Sequence, residues 1–508
     1  MKMRRLFFVA ADVTRLKSFG ESRASRAYLP NRAKVGRAVP SAPTELTNAD
    51  ELEWTLKNRG ALGTARPTFR LLFELRNALS PRLLLLSTLT LVGLLLAIAA
   101  SAEENWPHWR GAQDEGSVES GNYPVKWEGE KVLWKAPLPG KGCSTPIVWK
   151  HQIYVTAPVE GVDAVLAFDW QGKQVWKKPF GKENSGRHRN GSGSNASPAT
   201  DGKAAFVYFK SGTFAALELD GKLRWKTNLV EAFGPDTLYW DHGSSPVLTE
   251  KNVIMTRMCQ GESWIAAFDK ATGQIKWKVP RNYETAIEGE HGYGTPLLVK
   301  CQGKETLLVW GGEHVTLHDL ADGKVIWSDG EFSQEAGSNW PTVASPVVAN
   351  DIAIIAYGRA DKNLPKLYGI RVGANGGKGG ERIWKREDVG TFVPTPAVYK
   401  GKVYILRDRG ELECIEPQTG KTIWKDALPK ASANFYSSPV IAGGSLYAAR
   451  EDGTIFVGKL ETGKFELLAE NKMGEKIIAS PVPVEGRLLI RGEKNLFCVG
   501  KESVVSSQ

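Results

Sequence analysis

The sequence predicts an all-β protein: an eight-bladed β-propeller of four-stranded antiparallel blades, closed by N- and C-terminal strands in one blade. Three observations carry that prediction. A small residue followed by proline recurs eight times at near-regular spacing, a tryptophan recurs once in most intervals a few residues after a glycine, and short apolar runs of strand character fill the intervals between glycine-rich turns.

The proline steps are Thr145-Pro146, Ser197-Pro198, Ser245-Pro246, Thr295-Pro296, Ser345-Pro346, Thr395-Pro396, Ser438-Pro439 and Ser480-Pro481, spaced by 52, 48, 50, 50, 50, 43 and 42 residues. The aromatic marks are Trp176, Trp225, Trp277, Trp327, Trp384 and Trp424, with Phe465 in the seventh interval. In the third interval the runs 245–250, 252–258, 263–269 and 274–279 read as four strands. Proline is tolerated at a strand start, where its missing N–H falls at the edge of the ladder. A tryptophan on the last strand is large enough to fill the gap between one sheet and the next. The eighth interval ends after three runs. Its missing strand is expected from Glu130–Trp134, which brings Trp134 into the set of blade-packing residues and leaves no free sheet edge.

A chain of 508 residues with 42% hydrophobic and 24% charged residues is globular, which excludes a disordered chain and a multi-span membrane protein. The net charge of +10 is unevenly placed: residues 1–102 hold 16 basic and 7 acidic residues, leaving 50 and 49 in the remainder. The excess belongs to the leader, so no nucleic-acid partner is expected. Residues 1–81 read as an over-extended or disordered leader. Residues 82–102 read as a signal peptide or membrane anchor. Arg70, Arg76 and Arg82 precede the uncharged run Leu83–Ala100, and Ala100-Ser101-Ala102 offers a small-x-small cleavage site; uncleaved, the run is a single anchor. Export places the protein in the periplasm or outside the cell. Residues 103–500 are expected to form a single propeller domain, followed by a tail at 501–508. The five cysteines are odd in number and lack any CxxC pair, so they read as buried strand residues and not as zinc or dithiol sites.

No GxSxG, P-loop, HExxH or EF-hand spacing occurs in the body, and no catalytic residue is assigned. The turn Asp269–Gly273 reads as a hydrogen-bonded turn and not as a calcium loop. The long connections 186–198, 231–246, 282–296 and 331–346 each join the last strand of one blade to the first of the next. They share one face with the turns Arg407-Asp408-Arg409 and Arg450-Glu451-Asp452, where a binding site is expected. The candidate ligand-binding residues there are Arg187, His188, Arg189, Trp240, Asp241, His242, Glu290, His291, Tyr293 and Trp340, with Tyr239 beside them. His188, His242 and His291 lie 10, 4 and 5 residues before Pro198, Pro246 and Pro296 in successive loops. Imidazoles with Asp241 and Glu290 at the channel mouth would hold a divalent metal, bind a polar ligand or exchange protons. The preferred reading is that each satisfies backbone groups in its own loop; the metal remains unassigned.

The motif Asp-x-x-Thr-Gly-x-x-x-Trp at Asp269–Trp277, repeated with Glu at Glu416–Trp424, resembles the repeats of the pyrroloquinoline-quinone-like propeller family, over roughly residues 105–500. The opening Asn105–Gly111 (NWPHWRG) is similar to the start of secreted members. The family holds both non-catalytic scaffolds, among them the propeller lipoprotein of the outer-membrane β-barrel assembly machinery, and quinoprotein dehydrogenases. Two departures bear on activity: the adjacent cysteines of quinoprotein alcohol dehydrogenases are absent, and the cleavage site carries no lipid-accepting cysteine. The resemblance therefore implies a binding or scaffolding protein of the cell envelope. Its alternatives are a quinone- or metal-assisted oxidoreductase and a polysaccharide-binding module. The expected partner is an envelope protein or polymer, the expected state a monomer. No cofactor is expected, pyrroloquinoline quinone with calcium being what the family's enzymes would imply.

Overall fold

Strand polarity follows from position in the ring. In the first blade the strands Gln152–Val159 and Val162–Phe168 are buried on both faces between neighbouring sheets and read as nearly continuous apolar runs, whereas the outermost strand Gln174–Lys182 alternates toward solvent. The computed structural model describes residues 105–127, 132–285, 288–332, 340–373, 379–461 and 463–500. The expected leader, the signal or anchor segment, the tail, and Glu130 and Lys131 of the expected closing strand lie outside them.

Among the described residues the strands form eight antiparallel blades, each ordered from the channel outward. Blades 1 to 7 begin at Ile147, Ala199, Val247, Leu297, Val347, Ala397 and Val440, and the eighth at Val482. The eighth blade is closed as expected: Val132–Pro137 pairs antiparallel with Asn495–Val499, which sets Trp134 opposite Cys498. The only α-helix described is the single turn Leu229–Phe233, capped by the Asn228 side chain on two backbone N–H groups. Cys259, Cys301, Cys414 and Cys498 are buried, and Cys143 is half-buried.

Blade-to-blade packing uses the recurrent tryptophan in one way. The indole N–H donates to a carbonyl of the following blade: Trp134 to Trp170 (3.0 Å), Trp176 to Leu219 (3.1 Å), Trp225 to Lys270 (2.9 Å), Trp277 to Leu320 (2.9 Å), Trp327 to Val372 (3.2 Å) and Trp384 to Pro417 (2.8 Å). The ring rests on the glycine of that neighbour's turn. Gly273 has φ +73°, and a Cβ there would lie 2.7 Å from the Trp225 ring; at Gly323 the φ is +76° and the distance to the Trp277 ring 2.6 Å. Only glycine meets both demands. Trp424 packs instead on Phe465, with ring centres 6.1 Å apart. The turn Asp269–Gly273 is held by Asp269 Oδ1, which accepts from the backbone N–H groups of Ala271 and Thr272 and from the Thr272 hydroxyl.

The residue before each proline has a second role that spacing alone does not show. Thr145 N–H donates to Ser197 Oγ, Ser197 to Ser245, Ser245 to Thr295, Thr295 to Ser345, Ser345 to Thr395, Thr395 to Ser438 and Ser438 to Ser480, all at 2.8–3.0 Å. Backbone N–H groups beside the channel need an acceptor that no strand supplies, and the next blade's hydroxyl provides it.

Residues 106–118 occupy the channel. Trp106 exchanges backbone bonds with Val148 of blade 1, and Pro107 O accepts from Thr200 of blade 2. Glu115 O and Gly116 O accept from Val398 of blade 6 and Ile441 of blade 7, and Ser117–Val118 then runs parallel to Ile441 and Ala442 as a fifth strand of blade 7. Between these anchors the buried Arg110 guanidinium donates to Pro396 O and Pro439 O, each at 3.0 Å. Burial without a bonded carboxylate pushes this group down to about 9.

Two outcomes test this architecture. Trp277→Ala should cost about 3–5 kcal/mol in urea unfolding, and Gly323→Ala should also destabilise. Because both act on one contact, the double variant should lose less than the sum. Deleting residues 103–140 removes the closing strand and the channel segment, and should cause aggregation or loss of cooperative unfolding. A monomeric product with unchanged melting would contradict ring closure.

Candidate functional site

The eight pre-proline residues form the floor of a concave bowl of about 630 Å³ on the loop-bearing face. Trp109 of the channel segment also lines it. The sides come from the inter-blade connections and from turns between second and third strands, which contribute His188, Asn190, Tyr239, Trp240, Asp241, Glu288, Tyr293, Arg359, Asp361, Asp408, Asn434 and Tyr436.

One wall is aromatic. The His188 ring stands edge-on to Trp240 at 5.3 Å and lies 6.0 Å from Tyr436, while Tyr239 is edge-on to Trp240 at 4.8 Å. Burial, with Arg189 nearby, pulls His188 below its ordinary value. The wall is held by a buried carboxylate. Asp241 accepts from the backbone N–H of Arg187 (2.7 Å) and of His188 (3.1 Å), and pairs with Lys210 at 2.7 Å. Tyr293 Oη accepts from the backbone N–H of Trp240 (3.1 Å). Arg187 donates to Tyr239 O (3.3 Å), and Arg189 reaches across to Glu451 of blade 7 at 2.9 Å, tying the 186–195 connection over the ring.

The opposite side is set by Arg359, paired with Asp361 at 2.7 Å, and by Asp408, which accepts from the backbone N–H groups of Phe392 and Val393. Burial pushes Asp408 up to about 6 in spite of those two bonds.

Of the residues expected from sequence, the bowl brings together His188, Trp240, Asp241 and Tyr293, with Arg187 and Arg189 supporting the wall. His242, His291, Glu290 and Trp340 do not line it. His242 is buried against Tyr208 (ring centres 4.6 Å apart), with Nε2 on Ser244 O and Nδ1 3.4 Å from Asp236. Burial acts upward on Asp236, but His242 and the Leu238 N–H hold it below the ordinary carboxylate value. His291 is buried 4.0 Å from Glu290, and its carbonyl accepts from Thr342 N–H. Trp340 is half-buried against the core of blades 4 and 5. Among the described residues no three His, Cys, Asp or Glu are grouped to hold a metal. Sequence reading passed over Tyr436, Arg359, Asp361, Glu288 and Trp109. The first four stand in connections or turns of the face already singled out, whereas no sequence signal places Trp109 in the channel.

Nor does the lining fit a carboxylated quinone. Among the described residues Arg359 is its only Arg or Lys and is already paired, against four carboxylates, and Cys143 is its only cysteine.

Blades of this form, joined by an indole on the next blade's glycine and closed by shared terminal strands, define a propeller of pyrroloquinoline-quinone-like repeats. The chain belongs to the family described as outer membrane protein assembly factor BamB, whose model matches residues 162–426, 369–466 and 408–500. It is 22% identical over 359 residues to outer membrane protein assembly factor BamB from Yersinia pestis, covering 68% of this chain and 80% of that one. The solved structure of BamB from Moraxella catarrhalis is similar with TM-score 0.51 at 14% identity, over 73% of this chain and 98% of that one. Quinohemoprotein alcohol dehydrogenase from Comamonas testosteroni is similar with TM-score 0.57 at 15% identity, over 80% of this chain and 82% of that one. These two structural likenesses speak for the fold alone.

A further carboxylate gives a pH test. Asp163, at the start of a blade 1 strand, is fully buried with no hydrogen bond to either oxygen among the described residues. Burial pushes it up to about 7, against a smaller pull from Ser211 and with a smaller push from Glu183. The folded value lies above the unfolded value of about 4, so stability is full below about pH 4 and falls as the pH rises toward 7. Asp163→Asn should raise the melting temperature at pH 8 and leave it nearly unchanged at pH 4. Equal shifts at both pH values would contradict the assignment.

Proposed function

We propose that the protein is an exported β-propeller of the cell envelope that binds or scaffolds other proteins through its loop-bearing face and has no catalytic activity of its own. The observation that carries this reading is the family match across residues 162–500, to a family described as an outer membrane assembly factor. Its first described relative has the same description, and a role in assembly requires a surface for protein partners. The run Leu83–Ala100 before Ala100-Ser101-Ala102 supports export, with Glu103 as the mature N-terminus.

A photo-cross-linking residue at Arg409, an exposed position on the turn beside the bowl, should give adducts with envelope proteins in intact cells. N-terminal sequencing of the exported protein should begin at Glu103. Absence of adducts, together with turnover of an alcohol or aldose when pyrroloquinoline quinone and calcium are added, would overturn the scaffold reading in favour of an oxidoreductase.

A further inference from the structure

We propose that the bowl binds the end of a neutral saccharide chain. This rests on the reading of the loop-bearing face as a binding face and names the ligand class of its cavity. The first support is the aromatic wall. Tyr239 and Trp240 are 54% and 42% exposed and are the only aromatic side chains among the exposed large hydrophobic residues described, and both line the same cavity. An exposed indole in a concave setting offers an apolar platform to the C–H face of a sugar ring.

Charge supplies the second argument, by eliminating other ligands. A polyanion would face four carboxylates and one arginine, and that arginine is bound to Asp361. A polycation would find three of the four carboxylates engaged, Asp241 by Lys210 and two backbone N–H groups, Asp361 by Arg359 and Asp408 by two backbone N–H groups, which leaves Glu288 as a single charge and not a binding track. What remains is a ligand with many hydroxyls, each both donor and acceptor.

The floor meets that requirement. Seven of the pre-proline hydroxyls accept one bond from the preceding blade, and each retains a proton to donate. Asn190 and Asn434 add amide groups to the lining. The channel segment lies under this floor, with Trp109 in the lining and Arg110 fixed on Pro396 and Pro439. A polymer cannot thread through, so a chain end or a short oligosaccharide is what enters.

The test uses the purified propeller in calorimetric titrations with cellohexaose, chitohexaose, maltohexaose and xylohexaose. Hexalysine and polygalacturonate serve as charged controls, with insoluble cellulose and chitin for sedimentation. At least one neutral hexaose should bind, and Trp240→Ala and Tyr239→Ala should each weaken it by about tenfold or more. Both side chains lie on the surface and outside the blade cores, so melting temperatures should change by no more than a few degrees. Binding should follow the soluble chain and not the insoluble polymer. The proposal is overturned by no binding of any neutral hexaose up to about 10 mM, by binding that both variants retain, or by preference for hexalysine, polygalacturonate or the insoluble polymer. Such a result with Arg409 adducts intact would remove the saccharide and leave the scaffold reading standing.

Discussion

At six of the eight junctions a blade meets the next through an indole that rests on a glycine and donates its N–H to a carbonyl of the neighbour's turn, and the rest of the molecule is arranged by that contact. Eight sheets buried on both faces close into a ring only if each junction fills the same gap and leaves no polar group without a partner. Tryptophan supplies the volume and the donor, and a glycine at positive φ supplies the space. Trp134 matters most among them because its blade is shared by residues more than 350 positions apart in the chain: its bond to Trp170 O joins the last blade to the first.

Nearer the axis a different problem arises. The innermost strands are short, and their leading N–H groups face a channel instead of another strand. The serine and threonine hydroxyls answer this at seven of the eight junctions, where a blade's entry residue is the acceptor for the blade before it. The loops above are then free of closure duties, and the hydroxyl ring becomes the floor of the bowl.

The bowl's electrostatics are set largely by pairs formed within the scaffold. Lys210 and Arg359 neutralise Asp241 and Asp361, and backbone N–H groups hold Asp408. These acids fix the connections in place before any ligand arrives, which is why a lining with four carboxylates contains no metal-holding group among the described residues. His242 and His291 are likewise buried in their own connections instead of lining the bowl, His242 with Nε2 on Ser244 O and His291 with Nε2 4.0 Å from Glu290.

The sequence by itself determined the number of blades, the strand order within each and the closure through Trp134. Each of these is written locally, in a proline step, a glycine turn and an aromatic at fixed offsets, and a repeat can only stack on copies of itself. It also singled out the face on which the bowl opens and, among its lining, His188, Trp240, Asp241 and Tyr293, since long connections must emerge on one side. Tertiary structure alone decided what the bowl contains. Its lining converges from eight connections and two turns that are distant in sequence, so whether a histidine faces the axis or its own loop depends on neighbours such as Asp236 or Tyr208 that no spacing reveals. It also decided why serine or threonine precedes each proline, and why Asn105–Gly111 lies in the channel. Both follow from backbone groups that acquire their need for a partner only when the ring is closed.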